Sequence, residues 1–125
     1  MSRLFLTAGA LLGGVAVATG AFGAHGLKAF LEAHGQAANW ETAARYALFH
    51  ALATVAVGTL ATVRPAPGLT AAGWCFLDGT AIFSGCLFAL AISGVKLLGA
   101  VVPIGGVFLI VGWCLLAYAG WRTAG

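Results

Sequence analysis

The sequence predicts an all-α integral membrane protein, with four transmembrane helices in a compact bundle. Hydrophobic residues make up 62% of the 125 residues and charged residues only 7%, whereas roughly 25% of residues are charged in soluble domains. Mean hydropathy is +1.03. The apolar residues also form four runs, each long enough to cross a hydrocarbon core of about 30 Å. Residues 1–125 are therefore expected to form one transmembrane domain, with spans near residues 4–24, 42–63, 71–94 and 99–121.

The first span, residues 4–24, contains no charged residue and is long enough for about 32 Å of helix. Arg3 before the run and Ala16-Val17-Ala18 within it also resemble parts of a cleaved signal peptide. Because the run exceeds the usual length of a signal-peptide core, we expect it to remain as a span. Small residues on one face predict close helix packing; they include Gly9, Gly13, Gly20 and Gly23.

A polar connector follows at residues 27–39. Apolar side chains fall on one helical face, while Lys28 and Glu32 are spaced to pair on another. This pattern predicts a short amphipathic helix along the membrane surface. Gly35 is expected to end it, and Asn39 to cap the second span.

The second span, residues 42–63, begins among residues typical of a membrane edge. Trp40 and Tyr46 are expected in the aromatic belt, and Arg45 is close enough to the edge to extend its charge into water. The residues 64–68 contain two prolines and a glycine, which predicts a turn into the third span. The inward face of the second span is expected to contain His50, Thr54, Gly58 and Ala61.

The third span, residues 71–94, ends before Lys96. Before the fourth span, residues 99–121, the sequence allows an interfacial or kinked segment over residues 97–102. Pro103 would then be the first residue of the regular helix, where its missing N–H costs nothing.

Asp78 is the acidic residue inside an apolar run, and is therefore a functional candidate. A carboxylate at a helix centre costs about 2.5 to 3.5 kcal/mol on insertion scales. We expect it to pair with an arginine near the termini: Arg3, Arg64 or Arg122. A proton-relay or substrate-binding role is the alternative.

His25 and His50 lie toward the same end of consecutive antiparallel spans. Such a pair could ligate a haem, or join His34 and Glu32 around a metal. Their spacing matches no established metal motif, so hydrogen-bonded histidines without a ligand are favoured, and no cofactor or metal is expected. The sequence contains no recognisable catalytic constellation, which predicts that the protein is not an enzyme.

The basic residues and the cysteines indicate two kinds of feature that the protein is not expected to have. The six Lys and Arg residues are scattered singly, so no nucleic-acid surface is expected. Cys75, Cys86 and Cys114 are odd in number and lie in apolar runs, which predicts buried apolar filler instead of disulfides.

Four spans place both termini on one side of the membrane. That side contains three arginines, and the other side contains Lys28, Lys96 and Arg45. If Arg45 is discounted because Glu41 can pair with it, the positive-inside rule favours cytoplasmic termini.

Several sequence blocks together resemble the domain of unknown function 423 family. The blocks are GAFGAHGLK at residues 20–28, HALA at 50–53, FSGCLFAL at 83–90 and LGAVVPIGG at 98–106. The family includes YgdD-like and YwdK-like bacterial proteins and is related to transmembrane protein 256. The resemblance implies a multi-pass protein of the bacterial inner or plasma membrane, without an assigned enzyme activity. The chain departs from the family pattern at Asp78, Cys86, Phe88 and Val102.

The function expected from these features is a structural or protein-interaction role in the membrane. A small transporter or channel component using His25, His50 and Asp78 is the alternative, and a haem or metal redox bundle is the second. The partners expected are the lipid bilayer and a second copy or another membrane protein, with no known small-molecule substrate. Lys28 and Arg45 are further candidate polar residues, and Gly85 and Gly106 are further candidates for helix packing.

Overall fold

The computed structural model describes residues 1–124, with side chains through Thr123. Its helices are α1 (Ser2–Ala24), α2 (Lys28–Ala33), α3 (Ala37–Val63), α4 (Leu69–Ser93) and α5 (Leu97–Ala124). Helices α1, α3, α4 and α5 are long and apolar enough to cross a membrane, whereas α2 is a six-residue connector. The predicted all-α membrane bundle with a short connector helix is confirmed.

The middle of the bundle is formed by α3 and α4. Helix α1 packs mainly against α3, and α5 packs mainly against α4. In the most apolar stretch of each helix, 39% of residues in α3 and 33% in α4 are buried, compared with 17% in α1 and in α5. Because the spans alternate in direction, the termini and residues 64–68 lie at one end, here called the terminal end. Helix α2 and residues 94–96 lie at the other, the connector end.

Glycines bring the backbones of the outer helices close to those of the middle ones. A Cβ added to Gly9 of α1 would lie 2.9 Å from the backbone nitrogen of Val55 on α3, and one added to Gly58 of α3 would lie 2.8 Å from the backbone nitrogen of Leu6 on α1. At the other seam, Gly79 of α4 and Gly105 of α5 each lie against the other's carbonyl oxygen. Such close approach is possible only where no side chain separates the helices.

Two apolar clusters fill the bundle. The smaller cluster, toward the connector end, docks α2: Leu31 is 1% exposed and packs with Trp40 and Ala91. In the larger cluster, the fully buried Phe5 ring lies against Gly73 and ties α1 to α4. The buried members of the larger cluster are Phe5, Ala53, Val57, Leu69, Ala72, Phe76, Leu109 and Ala119.

The connector ends at Gly35, as predicted, but the next helix begins earlier than expected. Gly35 has a φ of 65°, and the Gln36 N–H donates to the Leu31 carbonyl at 2.8 Å. This closes the end of α2 within a single residue. Helix α3 therefore begins at Ala37, and Asn39 is not its cap: it lies in the first turn, where Nδ2 donates to Gln36 Oε1 at 2.8 Å.

Pro103 lies inside α5 and is not the first residue of a helix. Helix α5 runs without interruption from Leu97, so residues 97–102 are its opening turns. In hydrocarbon every backbone group needs a partner, and a continuous helix leaves fewer groups unpaired than a break before the proline would.

The expectation of buried cysteines is wrong for Cys114, which is exposed on α5. Cys75 and Cys86 are half-buried, and all three are free thiols. An apolar position in a membrane helix can face lipid as readily as a neighbouring helix, so an apolar run alone did not predict burial.

Candidate functional site

His50 of α3 is buried where α3, α4 and α5 meet, with 5% of its surface exposed. Its Nδ1 lies 2.7 Å from the Tyr46 carbonyl oxygen, and its Nε2 lies 3.0 Å from Nε1 of Trp113 on α5. An indole N–H can only donate, so Nε2 accepts and Nδ1 carries the proton. The imidazole is therefore neutral, and both of its nitrogens are engaged.

Aromatic rings surround this histidine. Phe76 of α4 lies 5.7 Å from His50 and 5.0 Å from Trp113, and Tyr46 stacks on Phe83 at 4.6 Å, all between ring centroids. We call these five residues the His50 junction. It links α3, α4 and α5 by one interhelical hydrogen bond and by ring contacts, which are worth about 0.5 to 1.5 kcal/mol per pair beyond burial.

The His50 junction does not fit the haem or metal alternative. A metal ligand needs a free lone pair, whereas Nε2 of His50 already accepts the Trp113 N–H. His25 lies exposed at the end of α1 and is not a partner of His50. Within residues 1–124, no group of three His, Cys, Asp or Glu residues is placed to hold a metal ion.

Asp78 points away from the bundle. It is exposed on α4, about 13 Å along the helix from Leu69 at 1.5 Å per residue. The expected pairing with an arginine of the terminal end is wrong within one chain: among the described residues, the one ion pair joins Arg45 to Glu41. Arg64 instead donates to the Thr123 carbonyl at 2.8 Å.

Asp78 belongs to a stripe of exposed and mostly small residues, here called the outward face of α4: Trp74, Asp78, Ala81, Gly85 and Ala89. A Cβ added to Gly85 would meet no atom within 4 Å, so Gly85 has no packing role within one chain. Beside this face, a groove of about 240 Å³ is lined by residues of α1, α3 and α4, including Ala81, Gly85 and Thr80. Thr80 is 2% exposed, and its hydroxyl has no hydrogen-bond partner.

Trp40 of α3 packs against the last turns of α1. The Trp40 indole donates to the Thr19 carbonyl at 2.7 Å, and its ring lies so close to Gly23 that an added Cβ would overlap it. Trp40 is only 8% exposed. It therefore packs between helices. The expectation that Trp40 belongs to a lipid-facing aromatic belt is wrong.

The other candidate glycines differ in how closely they pack. Gly9 lies at a backbone contact, whereas a Cβ on Gly13, Gly20 or Gly106 would meet neighbours only at 3.7 to 3.9 Å. These distances are ordinary van der Waals contact. The glycine pattern of α1 therefore contains two positions of close approach, Gly9 and Gly23, separated by looser ones.

The candidate charges of the connector end are all exposed. Arg45 pairs with Glu41 across one turn of α3, as expected. Lys28 and Glu32 do not form the predicted ion pair. Both side chains line a groove of about 440 Å³ that lies between α1, α2 and α3.

Sequence reasoning missed two residues that link helices. Ser84 Oγ donates to the Ala43 carbonyl at 2.7 Å and joins α4 to α3, while Trp113 donates to His50. A tryptophan well inside a span is a usable signal, because its N–H needs a partner when it is away from water.

Comparison with known proteins gives one consistent family. The profile described as "Protein of unknown function (DUF423)" matches residues 19–106. A UPF0382 membrane protein of Staphylococcus aureus is 40% identical over 123 residues, covering 98% of this chain and 99% of that protein. One from Staphylococcus haemolyticus is 37% identical over 123 residues, with the same coverage of both chains. No solved structure matches the chain.

Proposed function

Because this chain belongs to the DUF423 family and has four membrane-spanning helices, we propose that it is a structural, self-associating component of the membrane and not an enzyme. The observation that carries this proposal is the unpaired carboxylate of Asp78, which faces outward at membrane depth among small residues. The partner proposed for this face is a second copy of the chain.

The outward face of α4 is suited to close contact with another helix. Ala81, Gly85 and Ala89 recur at intervals of four residues, the small-residue spacing that lets two membrane helices approach. Lipid tails offer Asp78 no hydrogen bond, and a carboxylate in that environment costs about 2.5 to 3.5 kcal/mol. The unpartnered Thr80 hydroxyl lies in the adjoining groove.

A second copy of the chain can supply Asp78 with a hydrogen-bonding partner, namely the Asp78 of that copy. In a two-fold dimer the same patch meets itself. With the two-fold axis beside Asp78, the two Asp78 side chains face each other. Two carboxyl groups can form an O–H···O hydrogen bond with each other when one of them carries a proton. The resulting hydrogen bond lowers the cost of placing either group in hydrocarbon.

Oxidative cross-linking tests the interface. In a variant with all three cysteines replaced by alanine, we expect Ala81→Cys to form disulfide-linked dimers when native membranes are oxidised. The control is Gly14→Cys on α1, which is also exposed with no atom near an added Cβ and should not cross-link. Adding Asp78→Leu to the Ala81→Cys variant should lower the dimer yield several-fold, because it removes the shared hydrogen bond.

Two results would contradict self-association through α4. One is an equal dimer yield from Ala81→Cys and Gly14→Cys, which would indicate random collision in the membrane. The other is cross-linking of Ala81→Cys only to a different protein, which would make the partner heterologous.

For localisation we propose the bacterial plasma (inner) membrane with both termini in the cytoplasm. Arg3, Arg64 and Arg122 support this, since all three lie at the terminal end. At the connector end, Arg45 is paired with Glu41, which leaves Lys28 and Lys96. Thr123→Cys in the cysteine-free variant should resist a membrane-impermeant maleimide in intact cells; rapid labelling there would reverse the orientation.

A further inference from the structure

The groove at the connector end has a charged rim and an apolar floor. It encloses about 440 Å³ between the end of α1, the connector α2 and the start of α3. Lys28, Glu32 and Glu41 supply the charged side chains of its lining. The small residues Gly20, Gly23, Ala24, Ala37 and Ala44 form the rest of the surface, together with Trp40.

This groove is preformed, because its aromatic wall is held on three sides. Trp40 donates to the Thr19 carbonyl at 2.7 Å and lies against Gly23. It also contacts Phe88 of α4 edge-on, with ring centroids 4.6 Å apart. A ligand entering the groove therefore does not have to order this wall, which removes one of the entropic costs of binding.

The rim offers one positive and one negative group without an ion-pair partner. Glu41 is neutralised by Arg45. Lys28 and Glu32 lie on consecutive turns of α2, both exposed, and neither is in an ion pair within the described residues. A ligand with both a phosphate and an ammonium group matches this pattern: the phosphate would face Lys28, and the ammonium would face Glu32.

The position of the groove indicates where such a ligand comes from. Helix α2 connects two spans at the end of the bundle, and its buried Leu31 holds it against Trp40 and α4. The charged rim therefore lies at headgroup level, while Gly20 and Ala44 lie about one turn deeper along α1 and α3. A molecule that fills the groove is polar at the rim and apolar below it, as a phospholipid is.

We propose that this groove binds the headgroup of a zwitterionic phospholipid with a primary ammonium group, the phosphoethanolamine class. A primary ammonium donates three hydrogen bonds, as a lysine side chain does, and so satisfies carboxylates that a trimethylammonium cannot. An anionic headgroup without an amine meets Lys28 but is repelled by Glu32. The groove lies away from the outward face of α4, so this proposal stands independently of self-association.

Thermal unfolding of the purified protein in detergent tests the proposal. Dihexanoyl-phosphatidylethanolamine is expected to raise the melting temperature with a saturable concentration dependence. The phosphatidylcholine and phosphatidylglycerol analogues at equal concentration should give a smaller shift, and inorganic phosphate none. The comparison among the three lipids distinguishes recognition of the headgroup from detergent-like effects of the acyl chains. The comparison with inorganic phosphate distinguishes it from binding of a free phosphate.

Charge variants identify the site. Lys28→Met and Glu32→Gln should each weaken the apparent affinity for the phosphatidylethanolamine analogue by about tenfold, because each removes a charge-assisted hydrogen bond. Lys96→Met is the matched control: Lys96 is exposed at the same end of the bundle but outside the groove, and its loss should change nothing. Retention of the lipid in native mass spectrometry provides a second measurement for any variant with altered melting.

The proposal is overturned if the three lipid analogues shift the melting temperature equally. It is also overturned if Lys28→Met and Glu32→Gln bind as the unmodified protein does, or if Lys96→Met weakens binding to the same extent. None of these outcomes depends on whether the Ala81→Cys variant cross-links.

Discussion

The inward and outward faces of α4 use similar residues in opposite ways. Gly79, on the inward face, lies against Leu109 and the Gly105 carbonyl of α5, whereas Gly85 has no atom within 4 Å of an added Cβ. Ser84, on the inward face, donates to α3. Asp78, on the outward face, has no ion-pair partner. Gly85 lies six positions after Gly79, which places the two glycines about 120° apart around the helix.

The difference shows which requirements the single chain satisfies for itself. Inside the bundle, small residues receive a neighbouring backbone and most polar groups find hydrogen-bond partners in the chain. On the outward face, the same residue types remain without partners. The proposed self-association rests on this difference.

The largest expected effect is the difference in the free energy of unfolding between leucine substitutions at Gly79 and at Gly85. Gly79→Leu would force α4 and α5 apart, and we expect a loss of about 3 kcal/mol or more in the free energy of unfolding. Gly85→Leu enters open space and should change it by less than about 0.5 kcal/mol. Circular dichroism during unfolding in detergent, below the concentration at which the protein associates, measures both.

Equal losses for the two variants would mean that the two faces of α4 are not distinct. If Gly79→Leu folded normally, the glycine seam between α4 and α5 would not be a determinant of the bundle.

A smaller effect is expected at the His50 junction, where one hydrogen bond joins α3 to α5. His50→Phe and Trp113→Phe each remove one partner while keeping a ring in place. The double-mutant cycle should give a coupling energy of about 1 kcal/mol, the size found for hydrogen bonds between membrane helices. Unfolding of the two single variants, the double variant and the unmodified protein measures it.

His34→Phe is the control for this cycle. His34 is exposed and bonds only the Phe30 carbonyl of its own turn, at 2.8 Å. Combined with Trp113→Phe, it should show no coupling. Strictly additive effects of His50→Phe and Trp113→Phe would contradict the assigned hydrogen bond.

Sequence alone determined the number of spans, the connector helix and the turn at residues 64–68. These features depend on local properties: the length of an apolar run against the thickness of the bilayer, and the backbone limits of proline and glycine. The inward positions of His50, Thr54 and Gly58 were also predictable, since these residues are less apolar than their neighbours. The family resemblance could also be identified from the sequence, because it depends on contiguous blocks such as GAFGAHGLK.

For α4, only the tertiary structure decided which face turns inward. In water, the apolar stripe of a helix identifies its buried side. In a bilayer the surroundings are as apolar as the interior, so an apolar residue can face either way. The sequence therefore did not separate Gly79 from Gly85, or predict that Asp78 points outward. The bond from Trp113 to His50, 63 residues apart in sequence, likewise required the packed bundle.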